Sequence, residues 1–309
     1  MVFVTDVIQI GCGPRTNSWL RAVERHASLR TVATVAAENG SEGARLPDFG
    51  TVADAVAKTH ASLAIATGAD ASVHAAAALE AGLRVLLAEP GSIDGPRLRA
   101  LRAAAGGANR RLTVVRHDPL ARCKKTVQRF LRAGRLGALG HVSYIDECRA
   151  ESGAADSASL ATLHAFEAFE SLQEVLGLPA VSVMARMSSR NPCTIEAFLE
   201  MEQGVHVHYY GRVGAAADSR SLWLEGSRGS LKTDGAAVAW RKRGWRFFVP
   251  VRVALSRGSS DARAERRCLD GVLDGTLANG ATSLAAVATA CESAAAERAV
   301  ALSEILGSP

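Results

Sequence analysis

The strongest polar pair in this chain of 309 residues is His164 with Glu167, in the segment 160–170 (LATLHAFEAFE). The segment has the apolar spacing of a helix, and residues three apart are neighbours on a helix surface. A histidine beside a carboxylate can take up and release a proton near neutral pH. The pair therefore predicts a proton relay, and the alternative is a histidine on a solvated helix face.

Glu89 is a second candidate acid, because it follows the apolar strand pattern 85–87 and precedes Pro90. A carboxylate performs acid–base chemistry only if its pKa suits the task. Burial raises that pKa, and a nearby cation lowers it. Glu89 is expected either to donate a proton as a neutral acid or to bind an ammonium or iminium group of a substrate.

The segment Gly11-Cys12-Gly13 lies between a strand pattern and a helix pattern, which is the context of a phosphate-binding turn. The first glycine permits the tight turn, and the second lets the backbone approach a pyrophosphate at the helix N-terminus. Pro14 suits the first helical turn, and Arg15 is expected to contact phosphate. Thr16 stands where the Gly-x-Gly-x-x-Gly pattern has its third glycine.

The residue that binds the ribose distinguishes NAD from NADP. NAD-binding chains place an acid at the end of the second strand, about 20 residues after the turn. Positions 36 and 37 are alanines here, and Glu38 comes late. The missing acid, together with Arg15, favours NADP over NAD. The alternative is that the glycine turn serves only tight packing of the helix on the strand.

Two kinds of chain organisation position these residues. The first 115 or so residues alternate short apolar strands with helices, which predicts βαβ units and a doubly wound parallel sheet of the Rossmann type. Residues 119–309 are expected to form an α+β domain with a largely antiparallel sheet, and residues 1–118 the dinucleotide-binding domain. Strands are predicted at 180–187, 194–201, 205–210, 221–225, 230–233, 237–241 and 245–249, and a final helix from 281 to 301 or beyond.

Composition narrows the class of protein. Hydrophobic residues make up 48% and charged residues 22%, and the net charge is +5, so we expect a soluble protein. Its arginine clusters alternate with apolar or acidic residues, which favours solvated faces over a nucleic-acid surface. The six cysteines form no Cys-x-x-Cys pair, and no apolar run approaches the ~20 residues of a membrane span. A cytoplasmic location, without a membrane or nucleic-acid partner, is expected.

Four segments resemble one known family over nearly the whole chain: the opening strand and turn 8–13 (IQIGCG), the helix end 78–82 (ALEAG) followed by Ala88-Glu89-Pro90, the crossover 116–119 (RHDP) and the late hairpin 224–231 (LEGSRGSL). Together they are similar to the Gfo/Idh/MocA family, named after glucose–fructose oxidoreductase, inositol dehydrogenase and the rhizopine protein MocA. The resemblance implies a Rossmann-type domain, NADP or NAD as cofactor, and a homodimer or homotetramer formed through the C-terminal sheet.

The resemblance also assigns residues to the site. It implies that Thr67 and Gly68 form a loop beside the cofactor. His117 falls near the position of an aromatic residue that covers the cofactor, although a structural role is equally compatible. The family has Glu-Lys-Pro where this chain has Ala88-Glu89-Pro90. Glu89 therefore replaces a lysine that holds the reacting group, or, in a shifted register, the lysine is simply absent.

The family's catalytic helix carries Asp-x-x-x-His-x-x-Asp. Aligned on the histidine, His164 and Glu167 match the last two residues and Leu160 replaces the first acid. Aligned on the helix end, Glu167 matches the histidine and Glu170 the last acid. Both alignments retain Glu167.

The histidines at 206 and 208 share one face of a strand with Tyr210, a spacing compatible with metal binding or with a subunit interface; we favour the interface. No metal site is predicted.

These observations predict an NAD(P)-dependent oxidoreductase that acts on a small-molecule C=N or C=O group, in secondary metabolism. The thiazolinyl imine reductases of the same broad family are a comparison that need not use the lysine. The predicted catalytic residues are Glu89, His164, Glu167 and His117. The predicted cofactor-binding residues are Gly11, Gly13, Pro14, Arg15, Thr16, Glu38, Thr67, Gly68, Glu89 and Pro90. The alternatives are a non-redox lyase, isomerase or cyclase in the interdomain cleft, and a nucleotide-binding sensor or assembly subunit.

Overall fold

The computed structural model describes residues 4–11, 14–35, 49–68, 70–88, 95–105, 111–115, 118–149, 157–188, 192–253, 261–274, 281–296 and 298–306. The chain forms two compact units, Met1–Arg116 with Ser259–Ala281, and His117–Gly258 with Thr282–Pro309. Each unit has its own sheet. Among the helices of these ranges, none is long and apolar enough to cross a membrane.

The first unit alternates strands and helices, as the sequence predicts. In chain order its elements are β1 (Thr5–Ile10), α1 (Pro14–Glu24), β2 (Leu29–Val35), α2 (Val52–Lys58), β3 (Leu63–Ala66), α3 (Ala71–Glu80), β4 (Arg84–Leu87), α4 (Gly95–Ala105) and β5 (Leu112–Val114). The strands are parallel and lie in the order β2-β1-β3-β4-β5. Every residue of β3 is buried, as a central strand covered on both faces requires. The expected Rossmann-type sheet is confirmed.

The remaining elements follow in chain order: α5 (Lys124–Arg132), β6 (Leu139–Cys148), α6 (Ser157–Leu176), β7 (Ala180–Ser188), β8 (Cys193–Met201), β9 (Val205–Val213), β10 (Ser219–Gly226), β11 (Gly229–Thr233), β12 (Val238–Lys242), β13 (Val249–Val251), α7 (Asp261–Asp274), α8 (Ala281–Ala296), β14 (Val300–Ala301) and α9 (Leu302–Leu306).

The second unit is built on one large sheet in the order β13-β12-β11-β10-β6-β9-β8-β7-β14. Its strand pairs are antiparallel except β6 with β9, which confirms the expected largely antiparallel sheet. Helix α6 packs on β6, β8 and β9. Aromatic rings fill this interface: Phe169 meets Tyr209 edge-on at 5.2 Å between ring centroids, and Tyr144 stacks on Tyr209 at 6.0 Å.

Helix α7 belongs to the first unit, although it comes late in the chain. Its Leu269 and Val272 are buried with Trp19 and Val23 in one apolar cluster. Arg84 of β4 donates a hydrogen bond from Nη1 to the carbonyl of Val272 at 3.2 Å. The sequence-based division places every residue after 118 in the second domain. The structure differs because the apolar face of α7 is buried against α1.

Two local predictions are wrong. Residues 245–247 are not a strand, because Trp245 N–H donates to the carbonyl of Lys242 in a turn and β13 begins only at Val249. The final helix ends at Ala296, and the chain then adds the short strand β14 to the free edge of β7. The added edge strand buries Val300.

Candidate functional site

The turn after β1 is shaped by Gly11, whose φ is +111°. Its N–H donates to the carbonyl of Val35 at 3.0 Å. A Cβ atom on Gly11 would lie 2.3 Å from the carbonyl oxygen of Thr67 and 2.6 Å from its Oγ1. Only glycine therefore allows β1 to end so close to the loop that follows β3.

Thr16, at the third glycine position, is tied to the same loop. The Thr67 hydroxyl donates to the carbonyl of Ile10 at 3.0 Å, and the Thr67 N–H donates to the same oxygen at 3.0 Å. The Oγ1 atoms of Thr16 and Thr67 are 2.7 Å apart. Because the single Thr67 hydroxyl proton is used on Ile10, Thr16 must be the donor. A buried hydrogen bond thus joins helix α1 to the end of β3.

These residues lie where the strand order of the first sheet reverses. Strands β1 and β3 are neighbours, and Gly11 and Thr67 follow their carboxyl ends. In open α/β sheets, ligands bind outside the carboxyl ends of the strands at such a reversal. Gly68 follows directly, and its carbonyl accepts from the N–H of Ala71 at the start of α3. The structure thus brings Gly11, Thr16, Thr67 and Gly68 together at a position suited to a nucleotide.

Replacing Thr67 with valine is expected to destabilise the first unit by about 1–3 kcal/mol, because it leaves the buried hydroxyl of Thr16 without its acceptor and removes one of the two hydrogen bonds to the carbonyl of Ile10. Valine has nearly the same shape, so the loss reports the hydrogen bonds rather than the packing. Urea unfolding of both proteins measures it. The matched control is Thr59→Val in the same unit, whose hydroxyl bonds only to the carbonyl of Ala55 at 2.7 Å near the surface; an equal loss in both variants would contradict the assignment.

Several predicted site residues lie outside the described part of the chain: Gly13, Glu38, Glu89, Pro90 and His117. Pro14 begins helix α1, as predicted, but its side chain and that of Arg15 are likewise outside the description. The roles assigned to all seven stay predictions.

The second unit holds a cluster of charged side chains on the face of the sheet that α6 covers. His164 of α6 lies with Nδ1 3.5 Å from Oδ2 of Asp146 on β6. The other oxygen of Asp146 accepts a hydrogen bond from Nε of Arg220 on β10 at 2.9 Å. The Asp146 side chain is 2% exposed, whereas that of His164 is 22% exposed. A buried carboxylate is thus flanked by two more accessible cationic groups.

Electrostatics keep this cluster ionised. Burial opposes the charge on Asp146, but the contact with His164 and the charge of Arg220 outweigh it and lower the pKa of the carboxyl group. Burial also opposes the charge on His164, but Asp146, with a smaller contribution from Cys148, raises the pKa of the imidazole to about 10. His164 is therefore an imidazolium at neutral pH.

Glu167, the predicted partner of His164, is buried one helical turn along α6. Two buried tyrosines, Tyr144 and Tyr209, complete the surroundings. Burial, followed by the charge of Asp146, raises the pKa of both hydroxyls. Among the described residues neither hydroxyl has a hydrogen-bond partner. The charged cluster of His164, Asp146 and Arg220 is therefore surrounded by the aromatic side chains between α6 and the sheet.

Sequence reasoning missed Asp146 and Arg220. The signal was present in β6, where Val142, Tyr144 and Asp146 alternate with exposed or half-buried residues and so share the buried face. An acid at the end of an apolar face needs a buried partner. The sequence did not identify that partner, because it comes from α6 and β10.

The histidines on β9 belong to the opposite face of the sheet. His208 pairs with Glu196 at 3.0 Å and stacks on Phe198 at 4.7 Å between centroids, while His206 is exposed. No group of three His, Cys, Asp or Glu side chains in the described ranges could hold a metal ion. The predicted subunit interface through this face stays a prediction.

Comparison with known proteins supports the fold. The chain is similar to a crystal structure of an inositol dehydrogenase homologue from Azotobacter vinelandii complexed with NADH and myo-inositol, with TM-score 0.70 and 15% identity over 97% of this chain and 98% of that one. It is also similar to GenD2 from gentamicin A biosynthesis in complex with NAD (TM-score 0.70, 19% identity, 97% of each chain). A third such structure is the aldose-aldose oxidoreductase of Caulobacter crescentus complexed with glycerol (TM-score 0.69, 14% identity, 96% of this chain and 99% of that one). No protein-family model and no curated protein sequence matches the chain.

Proposed function

We propose that the protein is an NAD(P)-dependent oxidoreductase that reduces a C=O or C=N group of a small molecule. The observation that carries the proposal is the glycine turn at the reversal of the strand order. The backbone of Gly11 lies so close to Thr67 that there is no space for a side chain at position 11. Such a turn lets the backbone approach a pyrophosphate closely. The proposal gains support from the shared fold, because two of the similar structures contain NAD or NADH.

The first unit fits a nicotinamide nucleotide. Its Gly11 turn and the Thr67–Gly68 loop would hold the phosphates and ribose, with Arg15 and Glu38 as the predicted determinants of NADP against NAD. Bound there, the nucleotide would supply hydride to a carbon of the substrate. The rest of the chemistry requires a proton on the substrate oxygen or nitrogen, and this falls to the protein.

His164 is the proposed proton donor. Its Nδ1 faces Asp146, so Nε2 is the ring nitrogen left to donate a hydrogen bond to the substrate. An imidazolium with a pKa of about 10 keeps its proton while the substrate is neutral. It can give the proton up once hydride addition has produced a much more basic oxygen or nitrogen. Glu167 and Glu89 remain the further acids that the sequence predicts for the reaction.

The high pKa also favours one direction of the reaction. Oxidation of an alcohol or amine needs a neutral imidazole as base, and only a small fraction of His164 is neutral at pH 7. Reduction uses the protonated form, which predominates. We therefore propose that the enzyme acts as a reductase at neutral pH, on an imine or ketone.

Fluorescence titration with NADPH and NADH tests the proposal. We expect at least one nucleotide to bind at micromolar concentration, with NADPH the tighter of the two, and its oxidation to follow when imines and ketones are added. Failure of both nucleotides to bind below millimolar concentration would contradict the oxidoreductase. Binding without turnover on any substrate would favour a nucleotide-binding sensor instead.

A non-redox acid–base enzyme is the second candidate. The observation that favours it is the buried pair of His164 with Asp146, since proton transfer by such a pair needs no nucleotide. A lyase, isomerase or cyclase of this kind would lose activity on His164→Gln without any response to NADPH. The two candidates are therefore separated by the nucleotide dependence of turnover.

A further inference from the structure

The carboxylate in contact with the ring of His164 does not come from its own helix. The residues one turn before His164 on α6 are Leu160 and Ala161, which carry no charge. The only acid one turn after it is Glu167. The ion pair of His164 is instead with Asp146 of β6, at 3.5 Å between Nδ1 and Oδ2.

The alternation of side chains along β6 places Asp146 on the face of the strand that is turned toward His164. The strand alternates, so Asp146 lies on the buried face with Tyr144 two residues before it. Helix α6 covers that face, and the inward side of the helix carries Ala165 and Phe166 beside His164. A carboxylate in such surroundings remains charged only if it is paired.

Arg220 supplies the second half of the pairing. It stands directly opposite Asp146 in the β10–β6 register, and its Nε donates to Oδ1 at 2.9 Å. Oδ1 is thereby occupied, and Oδ2 is the oxygen that faces His164. The orientation of the Asp146 side chain is consequently fixed by a residue of the sheet, independently of its contact with α6.

We propose that Asp146 is a positioning residue, which pairs with Nδ1 of His164, fixes the orientation of the ring and leaves Nε2 for the substrate, while Arg220 fixes Asp146. The role in turnover rests on the proposed reductase; the pairing itself does not. Cys148 of β6 also acts on the charge of His164, and Glu167 follows three residues later on the same helix. Asp146 in turn raises the pKa of the Tyr144 and Tyr209 hydroxyls. Asp146 makes the largest favourable contribution to the charge of the ring, ahead of Cys148.

NMR titration of the histidine side chains tests the pairing without any substrate. The His164 signal is the one that disappears in His164→Gln. In the wild-type protein we expect it to titrate near pH 10, and in Asp146→Asn near the ordinary value of about 6.5. The matched control is Glu196→Gln, which removes the carboxylate of the His208 pair on the opposite face and should leave His164 unchanged.

Asparagine in place of Asp146 leaves Arg220 without its carboxylate, and the single variant could fail to fold for that reason. The double variant Asp146→Asn with Arg220→Gln removes both charges together and avoids this loss. Continued titration of His164 near pH 10 in either folded variant would overturn the proposal. A His164 signal that moves by two or more pH units in both would establish the pairing.

Turnover then tests the positioning role. With a substrate identified by NADPH oxidation, Asp146→Asn should lower kcat by about 10²- to 10⁴-fold, because the ring then loses its proton near neutral pH and is no longer held with Nε2 toward the substrate. The Kd of NADPH should stay unchanged. Asp146→Glu, which keeps the charge, should recover part of the activity. If wild-type protein binds no nucleotide, the reductase fails; the NMR titration still decides the pairing.

Discussion

Replacing Gly11 with alanine is expected to weaken nicotinamide nucleotide binding by at least about 100-fold. The added Cβ would lie 2.3 Å from the carbonyl oxygen of Thr67, so the turn must move away from β3. The φ of +111° adds strain for any residue with a side chain, at roughly 1–2 kcal/mol. Because the phosphates approach the backbone of this turn, its displacement removes their contacts. Fluorescence titration with NADPH measures the loss.

Gly82→Ala is the matched control for this variant. Gly82 has a φ of +88° in the α3–β4 turn of the same unit, but a Cβ there would meet nothing within 4 Å. Alanine at this position should therefore cost about 1–2 kcal/mol of stability and leave NADPH binding unchanged. Thermal unfolding of both variants shows whether the protein remains folded. Equal NADPH affinities in the two variants would remove the main support for a nucleotide at the Gly11 turn.

The first sheet was predictable from local patterns. Short apolar runs such as 63–66 alternate with helical segments, and that alternation alone implies parallel βαβ units. The packing of α7 was not predictable, because an amphipathic helix displays an apolar face without identifying its partner. Leu269 and Val272 are as well suited to one core as to another. Burial against Trp19 and Val23 appears only in three dimensions.

The same limit applies to the candidate site. The glycine turn could be predicted because its residues are neighbours in the sequence. The structure adds that Thr16, at the third glycine position, forms a hydrogen bond with Thr67. Aligned on the histidine, the family has an acid at position 160, where this chain has Leu160. The acid in contact with His164 lies instead on β6. The alternation of buried and exposed residues along β6 identifies the face of the strand on which Asp146 lies, but it does not identify the residue that pairs with Asp146. Arg220 reaches Asp146 only through the register of β10 with β6.

His164→Gln is expected to lower the rate of NADPH-dependent reduction by about 10²- to 10⁴-fold, because glutamine can hydrogen-bond to the substrate but cannot deliver a proton. In the wild-type protein the rate should be independent of pH around neutrality and fall as the pH rises through about 10, where the imidazolium is lost. Oxidation of the product should show the opposite trend. A pH-rate profile on stopped-flow mixing checks both directions, and a profile of the same shape in His164→Gln would contradict the role of His164 as donor.

The raised pKa predicts a matching trend in stability. Since His164 has a higher pKa folded than its ordinary value of 6.5, the folded state binds the proton more tightly than the unfolded chain. The contribution of the Asp146 pair is therefore complete below pH 6.5, declines above it and is lost as the pH passes about 10. Urea unfolding of wild-type protein and His164→Gln at pH 6, 8 and 10 measures it. A stability difference that did not shrink with rising pH would mean that His164 is not held as an imidazolium, and the reductive direction proposed for the enzyme would lose its physical basis.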